Sequence, residues 1–256
     1  MSGAREYIWE GIAARFPSQA SGDVFNSTRW VQSQKKNAAQ KIKSLRRVSE
    51  DHPDSLVHEY PLCPVAAVAS VGKAGKKRIR ILDFGGGLDG SFFPLKACLP
   101  ANTTVDYHVV ETDAICREGR RTFRGVRGLR FHTKFPSRSQ SFDIVHAGSS
   151  LHYVEDWKSV LNKFAGYKPR FILLSGLMAG GIKTFVTFQN YYGTKIPVWF
   201  WNEQEVIKAM QRRGYRLIYR SLLASLYKGK RQALPMKNFP PARRLKRKCN
   251  LLFVRN

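Results

Sequence analysis

Three observations predict an α/β chain with a seven-stranded, mostly parallel sheet carrying one antiparallel strand, helices on both faces and an N-terminal helical extension. From residue 78 onward, short apolar strand-like runs alternate with helical periodicity, the pattern that buries a parallel sheet between two helix layers. The first of these strands, Arg78-Ile-Arg-Ile-Leu-Asp-Phe84, runs straight into Gly85-Gly-Gly-Leu-Asp-Gly90 and a helix behind it. Two late runs, Tyr215-Arg-Leu-Ile-Tyr-Arg-Ser221 and Cys249-Asn-Leu-Leu-Phe-Val-Arg255, have no helix between them and so predict an antiparallel pair.

Residues 1–77 read as a helical, loop-like lid region. In it Asn26-Ser-Thr28 offers caps for a polar helix from about Arg29 to Val48, Pro53, Pro61 and Pro64 interrupt the stretch after that helix, and Gly72-Lys-Ala-Gly-Lys-Lys-Arg78 reads as a linker. Residues 78–256 form the second unit. Ser91 to Leu99 predicts the helix after the glycine turn, Thr104 to Glu111 a second strand ending in an acid, Asp113 to Arg124 a helix, and Leu129-Arg-Phe-His132 a third strand. Ser141-Phe-Asp-Ile-Val-His-Ala147 is a fourth strand, followed by the turn Gly148-Ser-Ser150 and a helix carrying Trp157, Val160, Leu161 and Phe164. Arg170-Phe-Ile-Leu-Leu-Ser175 is a fifth, and Asn202-Glu-Gln-Glu205 caps a last helix that stops at Gly214.

Composition bounds the function. The 256 residues carry a formal charge of +26, while hydrophobic content of 43% and charged content of 24% suit a packed core and argue against wholesale disorder. Cys63, Cys98, Cys116 and Cys249 include no C-x-x-C pair, so neither a cysteine zinc site nor a disulfide framework is indicated, and no metal is expected. The apolar stretches Cys63–Gly72 and Phe171–Gly181 fall short of the roughly 20 residues of a spanning helix, and the first residues lack a signal-peptide core. The expected location is the cytoplasm, including the inner face of its membrane.

The charge is concentrated late: residues 181–256 hold 17 basic and 2 acidic side chains. A basic loop at 228–248 contains Lys228-Gly-Lys-Arg231, Lys237 and Arg243-Arg-Leu-Lys-Arg-Lys248, interrupted by Pro235, Pro240 and Pro241. Such a patch attracts nucleic acid, an acidic membrane leaflet, or a phosphorylated or acidic glycan; its plain alternative is a solvated surface. An arginine series from Arg117 to Arg130 has helical spacing but is broken by Gly119, Gly125 and Gly128, and points to no ligand.

A strand that delivers the chain to a glycine turn and a helix N-terminus makes a nucleotide site of Rossmann-like type. Gly85, Gly87 and Gly90 satisfy G-x-G-x-x-G, and Glu111 lies where a ribose-binding acid belongs, so a nicotinamide or flavin enzyme is one reading. Asp83 tilts the balance. At the strand end before the glycines, a carboxylate repels a pyrophosphate and suits the ammonium of an amino-acid moiety.

At these residues the sequence resembles the class I S-adenosylmethionine-dependent methyltransferases, and more narrowly those encoded among bacterial surface-polysaccharide biosynthesis genes. The carrying segments are Ile81-Leu-Asp-Phe-Gly-Gly-Gly-Leu-Asp-Gly90, Val109-Val-Glu111, Phe142-Asp-Ile-Val-His-Ala-Gly-Ser-Ser-Leu-His-Tyr153, Thr187-Phe-Gln-Asn190 and Ile196-Pro-Val-Trp-Phe200, with Trp9-Glu-Gly11 and Trp30 near the start. One departure is Asp89, which stands where the third glycine of the methyltransferase pattern falls. The resemblance implies S-adenosylmethionine as cofactor. Asp83 would hold its ammonium, Gly85, Gly86 and Gly87 would approach the methionine and ribose, Glu111 would bind both ribose hydroxyls, and His132 and Ala147 would border the adenine. It further implies transfer to a sugar or glycan precursor, at oxygen.

Such a transfer needs an aligned acceptor and a base. His152 is the first candidate for the base and His146 the second. Gln189, Tyr191, Tyr192 and Trp199 combine aromatic faces with an amide and are candidates for contact with a small-molecule or glycan acceptor, or else for core and cap positions. Two other functions remain open. An RNA or DNA methyltransferase fits the charge, although Ala147-Gly-Ser-Ser150 lacks the Asn/Asp-Pro-Pro-aromatic motif of base amino-group methylation. A non-catalytic protein retaining the fold would dock on nucleic acid or an anionic surface through 228–248.

Overall fold

The computed structural model describes residues 7–13, 15–17, 24–51, 60–71, 78–88, 90–223, 225–227 and 230–256; Asp89, Lys228 and the linker residues 72–77 lie outside them. Strand β1 (Trp9–Ala13) precedes helix α1 (Thr28–Asp51), which starts at the expected caps, with the Trp30 N–H donating to Ser27 Oγ at 3.2 Å. Helix α2 (Leu62–Ser70) comes next, and then the alternating series: β2 (Arg78–Phe84), α3 (Phe92–Cys98), β3 (Thr104–Val110), α4 (Asp113–Thr122), β4 (Leu129–His132), β5 (Ile144–Gly148), α5 (Trp157–Gly166) and β6 (Phe171–Leu177). After β7 (Ala179–Gly180), β8 (Phe185–Tyr191) and β9 (Thr194–Asn202) come α6 (Glu203–Gln211), β10 (Tyr215–Leu223), the short pair β11 (Ser225–Tyr227) and β12 (Lys230–Gln232), and finally β13 (Lys248–Arg255).

Seven strands form the main sheet in the order β10-β13-β6-β5-β2-β3-β4. Pairs β2–β3, β2–β5, β3–β4 and β5–β6 are parallel, and β13 is antiparallel to both β6 and β10, so one strand is reversed as predicted. Alternate residues of each strand feed two cores. One face packs Leu82, Val145, Ala147 and Leu174 against α5 and α6; the other packs Ile79, Ile81, Val105 and Ile144 against α2 and α3. Strand β6 is buried along its whole length, as a central parallel strand with helices on both faces should be. Gly119, a weak residue for an isolated helix, is required by packing: a Cβ there would lie 2.5 Å from the Phe131 ring. Among the described residues no helix is long and apolar enough to cross a membrane.

Two features differ from the expectations. The N-terminal region is not helical throughout, because β1 pairs with β8 in a second sheet of order β1-β8-β9-β7. The β8–β9 hairpin turns on Tyr192 and Gly193, both at positive φ (50° and 83°), the geometry that matches strand twist in a two-residue turn. The basic loop is also more than a solvated run. Leu234, Met236, Phe239 and Leu245 are buried against Trp9, Phe185, Val198 and Phe200 of the second sheet, which leaves the exposed Lys237 and Arg244 between these anchors and the exposed Lys246 and Arg247 just beyond them.

Candidate active site

Strand register brings together side chains far apart in the chain. Asp83 pairs with His146 across β2–β5, and both lie two residues beyond core positions of the second face, Ile81 and Ile144. Tyr107 from β3 and Ser175 from β6 extend the row on that face. The Tyr107 hydroxyl donates to Asp83 Oδ2 at 2.5 Å and accepts the Ser91 N–H at 3.0 Å. His146 Nε2 lies 2.8 Å from Ser175 Oγ. His146 Nδ1 lies 2.8 Å from Asp83 Oδ1 but off the line an N–H···O bond needs, so both atoms keep unused hydrogen-bonding capacity. The row is buried, with Asp83 1%, His146 6% and Ser175 7% exposed. Buried polar groups at the carboxyl ends of parallel strands are where α/β sheets build ligand sites.

A cavity of about 230 Å³ opens on this row, bounded also by Gly85, Gly86, Gly90, Gly148 and Ser149. The glycines fit closely against their neighbours. A Cβ on Gly86 would stand 2.2 Å from Asp83 Oδ2, and one on Gly85, whose φ is +69°, would stand 2.3 Å from Ser150 Cβ.

Glu111 is tied to the same turn. Its Oε1 accepts the Gly87 N–H at 3.0 Å and its Oε2 the Thr112 N–H at 2.8 Å. Burial raises its pKa, the two N–H groups oppose the rise, and the nearby Asp83 charge adds to it. Glu111 does not line the cavity, because α1 lies over this part of the turn: Leu88 packs with Ala38 and Ile115, Gln34 Oε1 would stand 2.5 Å from a Cβ on Gly87, and Lys41 Nζ donates to the Gly90 carbonyl at 2.9 Å.

The remaining predicted residues lie elsewhere. His152 is 1% exposed behind the turn, packed on Tyr153 at 4.3 Å between ring centroids, and burial lowers its pKa to about 3. His132 pairs with His108, Nε2 to Nδ1 at 3.0 Å, and Ala147 is enclosed in the opposite core. Gln189 accepts from the Tyr153 hydroxyl at 3.0 Å, Tyr191 packs among Phe25, Trp30 and Tyr153, Tyr192 bonds Ser33 at 2.6 Å, and Trp199 stacks on Phe16 and Trp201. Sequence reasoning missed Tyr107 and Ser175. The readable signal was a polar residue on the inward parity of an otherwise apolar strand.

The burial of His152 has a pH consequence. Its folded pKa lies below the unfolded value, so the unfolded chain takes up the proton first as pH falls, and stability is lost from about pH 6.5 down to about pH 3. Urea unfolding at pH 7 and pH 5 is expected to show a wild-type loss about 2 kcal/mol greater than that of His152→Leu. Equal losses would show that this ring is protonated as readily in the fold as outside it.

No family model and no curated protein matches the sequence. Solved structures do. The 1,6-didemethyltoxoflavin-N1-methyltransferase of Burkholderia thailandensis, with bound 1,6-didemethyltoxoflavin and S-adenosylhomocysteine, aligns with a TM-score of 0.52 at 11% identity over 97% of this chain and 99% of that chain. A single-residue variant of LepI, in complex with S-adenosylhomocysteine and a substrate analogue, aligns with a TM-score of 0.50 at 12% identity over 89% of this chain and 54% of that chain. At such identities the likeness is one of architecture, and with the strand order above it shows that this chain adopts a Rossmann-like methyltransferase fold.

Proposed function

We propose that the chain is an S-adenosylmethionine-dependent methyltransferase acting on an oxygen acceptor. The observation that carries this reading is the cavity held between the glycine turn and the row Asp83–His146–Ser175, with Tyr107 bonded to Asp83 behind it. The residues fit the methionine end of the cofactor: Asp83 Oδ1 is buried with no in-line donor, the partner an ammonium group would supply. Gly85 and Gly86 would bring backbone to the same end, and Gly87 with Glu111 would serve the ribose once α1 yields room.

Bound S-adenosylmethionine supplies an electrophilic methyl group on a positively charged sulfur. The chain supplies the proton path. Ser175 Oγ takes the hydrogen bond of the acceptor hydroxyl and passes a proton to His146 Nε2, and the Asp83 carboxylate steadies the resulting cation at Nδ1. His146 replaces His152 as the preferred base, since it faces the cavity and His152 is enclosed. A nicotinamide or flavin dinucleotide would set its pyrophosphate against the carboxylates of Asp83 and Glu111.

A sugar or glycan hydroxyl is the second reading of the acceptor. It draws on a separate polar cleft of about 350 Å³ bounded by Arg29, Asn190, Tyr192 and Lys195, in which Lys195 pairs with Glu10, the Asn190 amide donates to the Tyr7 carbonyl, and Arg29 lies over the Tyr192 ring. The exposed cations Lys237, Lys246 and Arg247 offer a place for an anionic partner. Calorimetric titration tests the cofactor class. Binding of S-adenosylhomocysteine without binding of NADH is expected, and the reverse pattern overturns the reading.

A further inference from the structure

The polar cavity does not end at its row of side chains. Pro61, Leu223 and Asn250 wall both it and an adjoining groove of about 580 Å³ on the same face of the sheet. One side of the groove is α2, through Val65 and Val68; the floor is β6, β13 and β10, through Leu173, Leu252, Ile218 and Leu222. These positions belong to the apolar face of a core, yet the groove leaves several of them open: Val68 is 56% exposed, Leu222 50% and Ile218 42%. The groove is concave, and its lining is mainly apolar with a polar group at one end, the make-up of a small-molecule site.

Polarity changes along the length of the space. At the junction the Asn250 side chain accepts the Gly176 N–H at 2.9 Å and donates to Ser221 Oγ at 3.1 Å. These polar groups are thus engaged with the protein before any ligand arrives. Beyond them the groove is lined mainly by aliphatic and aromatic carbon, and at the other end stand Ser175, His146 and Asp83. The groove alone, at about 580 Å³, falls within the roughly 300 to 1,000 Å³ of ordinary small-molecule sites. An occupant that reached from it past the junction to Ser175, beside the cofactor, would need one small polar end and a long apolar body. A saccharide laid in the groove would leave its hydroxyls without partners, a substantial cost for each.

We propose that this groove holds the body of the methyl acceptor: a small molecule with an extended apolar chain and a single terminal hydroxyl, whose oxygen sits against Ser175 and His146. The acceptor role rests on the proposed methyl transfer; the apolar binding site does not.

The test uses the full chain with 1-decanol as probe, in wild type, Val68→Asp and Leu222→Asp. Both substitutions fall at half-exposed positions, so the variants are expected to fold, and thermal melting checks that they do. Calorimetry is expected to show saturable 1-decanol binding to wild type, at least about tenfold weaker binding to each variant, and unchanged affinity for S-adenosylhomocysteine throughout. Absent 1-decanol binding, or equal binding in all three proteins, overturns the proposal. A wild-type dimer in sedimentation velocity that Leu222→Asp dissociates overturns it as well, since the groove would then be covered by a second copy. If S-adenosylhomocysteine fails to bind any form while 1-decanol shows the expected pattern, the apolar site stands and its role as acceptor site falls with the methyltransferase reading.

Discussion

His146→Gln is expected to lower methyl transfer by about 10²- to 10⁴-fold, the usual contribution of a positioned acid or base, while leaving affinity for S-adenosylhomocysteine within about threefold. Glutamine keeps a donor toward Asp83 Oδ1, which His146 Nδ1 approaches at 2.8 Å, and it fills similar space. It has no nitrogen that accepts a proton at neutral pH. The proton leaving through Ser175, 2.8 Å from His146 Nε2, then has no destination in the row. Incorporation of label from methyl-tritiated S-adenosylmethionine into small molecules of a cell extract reads the rate, and calorimetry reads the affinity. Retained activity within about fivefold would remove His146 as the base, because a loss that small lies below what general catalysis supplies.

Gly85→Ala is expected to destabilise the fold by about 3 kcal/mol, through two separate faults. The residue sits at φ +69°, where a Cβ costs roughly 1 to 2 kcal/mol. The same Cβ would stand 2.3 Å from Ser150 Cβ, and Ser150 is pinned by its 2.6 Å hydrogen bond to the Phe84 carbonyl, so relieving the overlap costs roughly 1 to 3 kcal/mol more. Gly125 separates the two terms. Its φ is +82° and nothing lies within 4 Å of a Cβ there, so Gly125→Ala carries the strain alone and is expected to cost about 1 kcal/mol. Urea unfolding of both variants measures the difference. Equal losses would mean that the β2 turn has room the structure denies it.

The parallel part of the sheet was legible because each strand is a short apolar run closed by its own turn and helix. The reversed strand was legible because Tyr215–Ser221 and Cys249–Arg255 have no helix between them. What stayed hidden depends on contacts distant in the chain. Trp9–Ala13 is five residues whose partner strand begins at Phe185, and no local pattern joins them. The cations of 228–248 dominate that segment in the sequence, whereas the four apolar residues that anchor its described part are spaced without helix or strand period. At the site, the turn, Asp83 and His146 could be read, but the preference between His146 and His152 could not. Strand parity fixes the direction of His146; His152 lies in the turn beyond β5, where the packing of Tyr153 and the second sheet decides which way the ring faces. Tyr107 was concealed between Asp106 and His108, whose polar side chains alternate with it along the strand, and Ser175 by the apolar run that precedes it. The cover that α1 places on Leu88 and Gly87 could not be seen from either segment alone.

Methyl transfer by this chain requires a nucleoside-bearing sulfur cofactor at the turn between β2 and α3. Isothermal titration of S-adenosylhomocysteine into wild type and Glu111→Ala tests this most directly. One-site binding to wild type is predicted, weakened at least about tenfold by the substitution, the lower end of what a hydrogen bond to a charged group contributes. Absence of binding to wild type, or equal affinity in the two proteins, would contradict it.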